Sequence, residues 1–160
     1  MKLLRTIRFD RSDERVFEVA AASDEWAVSG AFAFAHLTPS EVTGKVKQAF
    51  ANGFLGMESF GRSTFATVAE ANQSTRDGIA YRLARHFVEA YGAPSAEAAW
   101  PAAEEEVDFV ADLCRDAPIN TVFTVRRFFD RDGQIKEEFR TIKPPAGEPL
   151  HARIWTVEPD

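Results

Sequence analysis

The sequence is poor in the residues that build disulfide frameworks and metal centres. Among its 160 residues there is one cysteine, Cys114, which excludes a disulfide within the chain and a zinc site made from several cysteines. The three histidines, His36, His86 and His151, are scattered, and none shows the pairing with a second ligand that a metal site requires. We therefore predict no metal site and no cofactor.

Long apolar segments are also missing. No apolar run approaches the roughly 20 residues that a membrane-spanning helix needs. The first ten residues alternate between polar and apolar types and lack the unbroken apolar segment of a secretory signal. We therefore expect a cytoplasmic protein with no membrane partner.

An excess of basic residues is absent as well. The chain carries 19 Lys and Arg residues against 25 Asp and Glu residues, which gives a formal charge of −6. Proteins that hold nucleic acids through the phosphates need clustered Lys and Arg residues. We therefore expect no nucleic-acid partner.

The remaining composition is an ordinary globular mixture, with 45% apolar and 28% charged residues. The sequence has no internal repeat, low-complexity tract or linker. Its Pro/Gly-rich stretch at residues 143–149 is short enough to be a loop. We predict a single domain over residues 1–160.

Two kinds of apolar periodicity alternate along the chain. Period-2 patterns predict strands at residues 3–9, 26–36, 63–69, 121–130, 134–142 and 152–157. Helical spacing predicts one helix that starts at the capping signal of Thr38 to Glu41 and stops at Gly53, and two more at residues 75–91 and 101–117. Residues 10–22 fit either a short helix or a strand. The sum is an α+β fold with a mostly antiparallel sheet of about five to six strands and about three helices, in two layers.

The last predicted hairpin has a sequence that selects its own register. A three-residue loop with Gly133 in the left-handed conformation places Arg127 opposite Glu137 within an otherwise apolar row. A buried Arg–carboxylate pair is usually structural. The alternative is that Arg127 lines a pocket for an anion.

The segment from Gly56 to Ser63 has the glycine spacing of a phosphate-binding P-loop, with Arg62 in place of the lysine. A P-loop connects a strand to the helix that follows it, whereas here a helix is predicted before the glycines and a strand after them. We interpret the match as a coincidence. In this interpretation the glycines serve as a helix stop, a turn and a bulge.

Two other residues are candidates for chemistry. Cys114 lies near the centre of the apolar stripe of its predicted helix, so we expect a buried and inert thiol. His86 lies at the margin of its helical stripe, where a contact with Glu89 would explain it without catalysis. No orienting partner for a general base is recognisable in the sequence.

The chain is rich in phenylalanine, and several apolar residues fall within the predicted loop over residues 53–64. We expect Phe54, Leu55 and Met57 to form an exposed patch that contacts a partner, because clustered apolar loop residues mark interfaces.

Several segments resemble a known family. They are EWAVSGAF at residues 25–32, FLGMESFGRST at 54–64, HFVE at 86–89 and HARIW at 151–155. The family consists of small bacterial proteins, mainly alphaproteobacterial, and is described only as a domain of unknown function. The resemblance covers most of the chain and implies no activity, cofactor or catalytic residue.

Two functional hypotheses follow. The first is a non-enzymatic accessory or protein-interaction domain that forms a homo-oligomer or binds a protein partner. The alternative is a small-molecule binding protein or enzyme, with an anion as one class of ligand, that uses the loop over residues 53–64. For this alternative the candidate ligand-binding residues are Arg62, Ser63, His86 and Arg127.

Overall fold

The computed structural model describes residues 1–143 and 156–158. Most of the strand predicted at residues 152–157, and His151 with it, lies outside this part of the chain. Residues Thr156–Glu158 form a short strand that pairs with the strand before it.

The centre of the fold is an antiparallel sheet. Its strands are β1 (Lys2–Ile7), β2 (Trp26–Val28), β3 (Phe54–Gly56), β4 (Arg62–Ser63), β5 (Phe65–Glu70), β6 (Val122–Phe129), β7 (Ile135–Lys143) and β8 (Thr156–Glu158). Their order across the sheet is β4-β3-β2-β1-β5-β6-β7-β8, and every neighbouring pair is antiparallel. The predicted α+β class and the antiparallel sheet are confirmed, with more strands than predicted.

The helices of the described residues are α1 (Ser12–Val16), α2 (Gly44–Asn52), α3 (Gln73–Tyr91) and α4 (Ala96–Cys114). Both long helices begin at a side-chain cap, since Asn72 accepts a hydrogen bond from the Thr75 amide at 2.8 Å and Ser95 accepts one from the Ala98 amide at 3.0 Å. Helix α3 ends at Gly92, which has a φ of +75°, as the sequence predicts. None of these helices is long and apolar enough to cross a membrane.

The helices form a second layer on the sheet. Helix α4 packs against β1 and against α3, and the ring of Phe109 in α4 lies 5.5 Å from that of Phe139 in β7. Helix α2 packs against β6. Cys114 is fully buried, as predicted, and burial raises the pKa of its thiol to about 12.

The β6–β7 hairpin has the predicted register. Phe129 pairs with Ile135, Arg127 with Glu137, and Gly133 has a φ of +79° in the turn. The charged residues on the other side of the hairpin are exposed, namely Arg126, Lys136, Glu138 and Arg140.

The strand predicted over residues 26–36 is wrong beyond Val28. Gly30 has a φ of +81° and turns the chain into a 3₁₀ turn at Ala31–Phe34. A Cβ at Gly30 would lie 2.5 Å from Nη1 of Arg62, so the turn leaves space for that side chain. The alternating pattern predicts a strand because it contains no information about this long-range contact.

The capping signal after His36 begins a different element from the one predicted. Glu41 accepts a hydrogen bond from the Thr38 amide at 2.8 Å, but this pair caps a 3₁₀ turn at Pro39–Glu41. Val42 leaves the helical region with a ψ of 89° and packs into a small core cluster, and α2 starts only at Gly44. The helix ends before Gly53 as predicted.

Candidate functional site

Two buried arginines meet at the end of α2. Arg62 is 7% exposed and Arg127 is 2% exposed. Nη1 of Arg62 donates to the carbonyl oxygen of Gly53 at 3.2 Å, and Nη1 of Arg127 donates to the same oxygen at 2.8 Å. The ring centroid of Phe34 lies 4.8 Å from the guanidinium carbon of Arg62 and 6.0 Å from that of Arg127. We call this group the arginine cluster.

The fold brings these residues together from distant segments. Arg62 lies in the short strand β4, Arg127 in β6, and Gly53 follows the last residue of α2. Arg127 also donates to the carbonyl oxygen of Phe50 at 2.9 Å. Both guanidinium groups therefore satisfy carbonyl oxygens at the negative end of the α2 dipole.

Glycines create the space for Arg62. Nη2 of Arg62 donates to the carbonyl oxygen of Gly30 at 3.2 Å. A Cβ at Gly53 would lie 3.0 Å from both Cβ and Cδ of Arg62, tighter than ordinary contact. The aliphatic part of Arg62 therefore depends on Gly53, and its guanidinium depends on Gly30.

The two arginines differ in charge compensation. Arg127 forms an ion pair with Glu137 at 2.8 Å, and the Ser29 hydroxyl donates to the same carboxylate. Within the described residues, no carboxylate lies within 4.0 Å of Arg62. Burial, together with the positive charge of Arg127, lowers the pKa of Arg62 to about 9. Burial also lowers the pKa of Arg127, and Glu137 opposes that effect.

A pocket of about 180 Å³ opens onto Arg62. Its walls are mostly apolar or aromatic, and they include Phe17, Val19, Phe34, Val46, Ala49 and Phe60. Two exposed charged residues, Glu18 and Lys45, also line it. The arrangement is a small apolar pocket with a buried cation at one end. We call it the Arg62 pocket.

A half-buried carboxyl on α4 feels the charges of the cluster. Burial and the negative charge of Glu137 raise the pKa of Glu106 to about 7, against the opposite effect of Arg127. Glu106 is therefore partly protonated near neutral pH, unlike an ordinary glutamic acid.

Of the four predicted ligand-binding residues, Arg62 and Arg127 meet in one cluster and the other two lie outside it. Ser63 is fully buried, and its hydroxyl donates to the carbonyl oxygen of Phe65 at 2.7 Å, so it stabilises the β4–β5 connection. His86 stacks on Phe60 with ring centroids 3.8 Å apart.

The ring of Phe60 therefore separates His86 from the Arg62 pocket. Burial lowers the pKa of His86, helped by the charges of Arg62 and Arg82 and opposed by Glu89. Glu89 forms its ion pair with Arg85 at 3.1 Å, and it acts on His86 through its charge.

The predicted exposed patch of Phe54, Leu55 and Met57 is wrong. These side chains are 0%, 3% and 2% exposed and belong to the main hydrophobic core. The reason is that Phe54–Gly56 is strand β3, which lies between β2 and β4 rather than in a loop. This arrangement leaves the three side chains no exposed area with which to contact a partner.

The loop that resembles a P-loop already holds an anion of its own chain. Glu25 is 2% exposed, and its carboxylate accepts hydrogen bonds from the amides of Glu58 at 3.0 Å and Ser59 at 2.8 Å. It also accepts one from the amide of Ala22 at 2.8 Å. The loop amides that a phosphate would need are therefore occupied, which supports the interpretation of the motif as a coincidence.

Several residues of the cluster carry no local signal in the sequence. Gly53 is recognisable as a helix stop, but nothing nearby indicates that its carbonyl oxygen receives two guanidinium groups. Ser29 and Phe34 fall within the segment predicted as a strand. Only contacts between segments far apart in the chain reveal their common position.

A family model matches nearly the whole chain. The model is that of a family of unknown function (DUF6505), and it matches residues 1–154. Comparison with curated proteins and with solved structures gives no match.

Proposed function

The chain belongs to DUF6505, a family of unknown function, and we propose that it binds a small organic anion in the Arg62 pocket. The observation that carries the proposal is the buried guanidinium of Arg62 without a carboxylate partner among the described residues. The proposed activity is binding, and no reaction is assigned to the site.

The two buried arginines differ in whether a counter-ion offsets the cost of burying their charge. A buried charge is costly unless it is paired, and Arg127 has its counter-ion in Glu137. Among the described residues, the guanidinium of Arg62 contacts carbonyl oxygens and the ring of Phe34, and Glu137 acts on it only from beyond 4.0 Å. A ligand carboxylate would supply the missing negative charge, and a guanidinium is well suited to bind one.

The walls restrict the rest of the ligand. Cavities for drug-sized molecules measure about 300–1,000 Å³, whereas the Arg62 pocket measures about 180 Å³. Phe17, Phe34 and Val46 favour an apolar body over a polar one. The ligand class that fits these features is a short-chain aliphatic carboxylate.

The test is calorimetric titration of the purified protein with butyrate and isovalerate, and with the matching neutral amides. We expect the acids to bind at least tenfold more tightly than the amides, because a charge-assisted hydrogen bond contributes about 1.5–3 kcal/mol. Equal binding of acid and amide, or no binding of either, would overturn the proposal.

A variant that keeps the fold can show whether the acids bind in the Arg62 pocket. Val46→Glu adds a negative charge at a side chain that is 37% exposed, so the fold should persist while acid binding is lost. Arg126→Gln is the matched control, because Arg126 is an exposed arginine outside this pocket. Acid binding that survives Val46→Glu would place the ligand elsewhere.

A second candidate function is that of a non-enzymatic accessory domain with a homo-oligomeric or protein partner. Its support comes from exposed valines and not from the predicted patch of Phe54, Leu55 and Met57, which is buried. Val19 is 54% exposed and Val46 is 37% exposed, and both line the Arg62 pocket. Such a pair of exposed apolar side chains suits a contact surface. Native mass spectrometry of the wild type and of Val19→Ser tests this role, because an oligomer that forms through Val19 and Val46 should dissociate in the variant.

A further inference from the structure

We propose a second ligand site, separate from the Arg62 pocket, in a trough along the outer face of α3, where Gly78 and Arg82 receive a flat aromatic carboxylate. The trough consists of two cavities, of about 410 and 300 Å³, that both include Gly78 and Arg82 in their lining. The proposal rests on the shape of this trough, on its aromatic walls and on the charge of Arg82.

Gly78 has no explanation within the fold. It lies in the interior of the 19-residue helix α3, where glycine destabilises by roughly 1 kcal/mol relative to alanine. Its φ is not positive, and a Cβ built on it would meet no atom of another part of the protein within 4 Å. The missing side chain therefore serves no internal contact. It keeps the middle of the trough open, where a ligand can approach the helix backbone.

The walls of the trough favour a flat, apolar ring. One half is lined by Trp26 and Ile79, and the other half by Phe60 and Tyr81. Aromatic side chains of this kind bind planar ligands through offset or edge-to-face contacts.

Arg82 supplies a charge for the anionic end of the ligand. It donates through Nε to the carbonyl oxygen of Met57 and through Nη2 to that of Glu58 at 3.1 Å. In the described part of the chain, it has no carboxylate within 4.0 Å. Its neighbour Arg85 differs, since Glu89 neutralises it at 3.1 Å.

The other titratable groups of the lining leave Arg82 as the uncompensated cation. Glu89 is occupied by Arg85, and Glu58 is exposed. His86 stacks on Phe60, and its lowered pKa favours the neutral form, so it adds a hydrogen-bonding group rather than a charge. A ligand carboxylate would lie towards Arg82, with its ring across Gly78.

The experiment is fluorine NMR of the full chain with 4-fluorophenylacetate and 6-fluoro-2-naphthoate, each compared with its neutral primary amide. We expect the acids to bind about tenfold more tightly than the amides, and Arg82→Gln to remove that preference. Equal binding of acid and amide, or the absence of binding by both acids, would overturn the proposal.

The decisive variants are Gly78→Ala and Gly78→Leu, because both introduce good helix formers. Both should raise Tm by roughly 2–4 °C. Both should also weaken the binding of the two acids, and leucine should weaken it more than alanine. A stabilised variant that binds the acids as well as the wild type does would refute the site. Ser74→Ala, an exposed residue of the same helix outside the lining, is the matched control.

The proposals for the two sites can be refuted separately. Val46→Glu blocks the Arg62 pocket without touching the trough, so it should leave the aromatic acids bound. Loss of aromatic acid binding in Val46→Glu would assign these ligands to the Arg62 pocket and contradict the trough.

Discussion

Arg62 and Arg127 donate to one carbonyl oxygen, that of Gly53, over 3.2 and 2.8 Å. Two guanidinium groups at one acceptor repel each other, and within the described residues only Glu137 forms an ion pair with either of them. The pair therefore combines an arginine that has a counter-ion with one that has none within 4.0 Å among the described residues. Variants and pH can separate the roles of these two arginines.

Removing the structural arginine should cost much stability. Arg127→Leu leaves Glu137 without its partner and the carbonyl oxygens of Phe50 and Gly53 with fewer donors. Breaking a buried ion pair in this way costs about 3–5 kcal/mol. Urea denaturation measures the loss. The double variant Arg127→Leu with Glu137→Leu should recover part of it, and a single variant as stable as the wild type would contradict the structural role.

Anion binding at Arg62 should depend on pH in the alkaline range. The pKa of Arg62 is about 9, so the guanidinium is charged at pH 7 and loses its proton as the pH rises through 9. A bound carboxylate favours the charged form and raises that pKa, so binding near pH 9 takes up a proton. Calorimetry of butyrate at pH 7.5 and 9.5 should show weaker binding at the higher pH, whereas equal affinities would contradict the assignment.

Glu106 should make the protein less stable as the pH rises to neutrality. Its pKa is raised from 4.5 to about 7, so the folded protein retains a proton that the unfolded chain releases. The stabilisation by the neutral carboxyl is full below pH 4.5 and is lost as the pH rises to 7. Glu106→Gln should therefore be more stable than the wild type at pH 8, by up to about 3 kcal/mol.

The control for this prediction is Glu97→Gln, since Glu97 is an exposed carboxyl of the same helix and is not among the charges that raise the pKa of Glu106. Its unfolding free energy should follow that of the wild type across pH 4 to 8. A Glu106→Gln variant that shows the wild-type pH dependence would mean that Glu106 is an ordinary solvated carboxyl.

Glu25 should have the opposite pH dependence. Burial raises the pKa of this carboxyl, but the hydrogen bonds from Ser59, Glu58 and Ala22 lower it more, and the net shift is downward. The ionised form therefore stabilises the fold above pH 4.5, and this contribution is lost as the pH falls. Glu25→Gln should cost about 1–3 kcal/mol at pH 7 and much less at pH 3, as measured by thermal unfolding.

Local patterns predict the parts of the fold whose causes are local. The β6–β7 register follows from the alternation around Gly133, and the ends of α3 follow from its Asn72 cap and from Gly92. The segment 26–36 has an equally clear alternation, yet Gly30 breaks it because Arg62 needs the space. A residue 32 positions away decides that turn, and no window of the sequence contains both.

For the same reason, the candidate site could be predicted from the sequence only in part. Arg62 stands out in the sequence because it takes the place of the lysine in a P-loop-like spacing, and Arg127 because it is a charge within an otherwise apolar row. Their common acceptor, Gly53, and the open pocket on Arg62 depend on how α2 lies against β6. Phe54 shows the converse case, since an apolar residue beside glycines suggests a loop until its strand neighbours are known.

The carboxylate of Glu25 gives the segment between β3 and β4 its shape before any ligand arrives. The backbone amides of Glu58 and Ser59 are already bound, and Arg62 follows three residues later. The conformational entropy of this segment is therefore lost during folding and not during recognition. A ligand of the proposed Arg62 pocket would meet a preorganised cation, so its association rate should approach that of a rigid receptor, with little ordering of the chain.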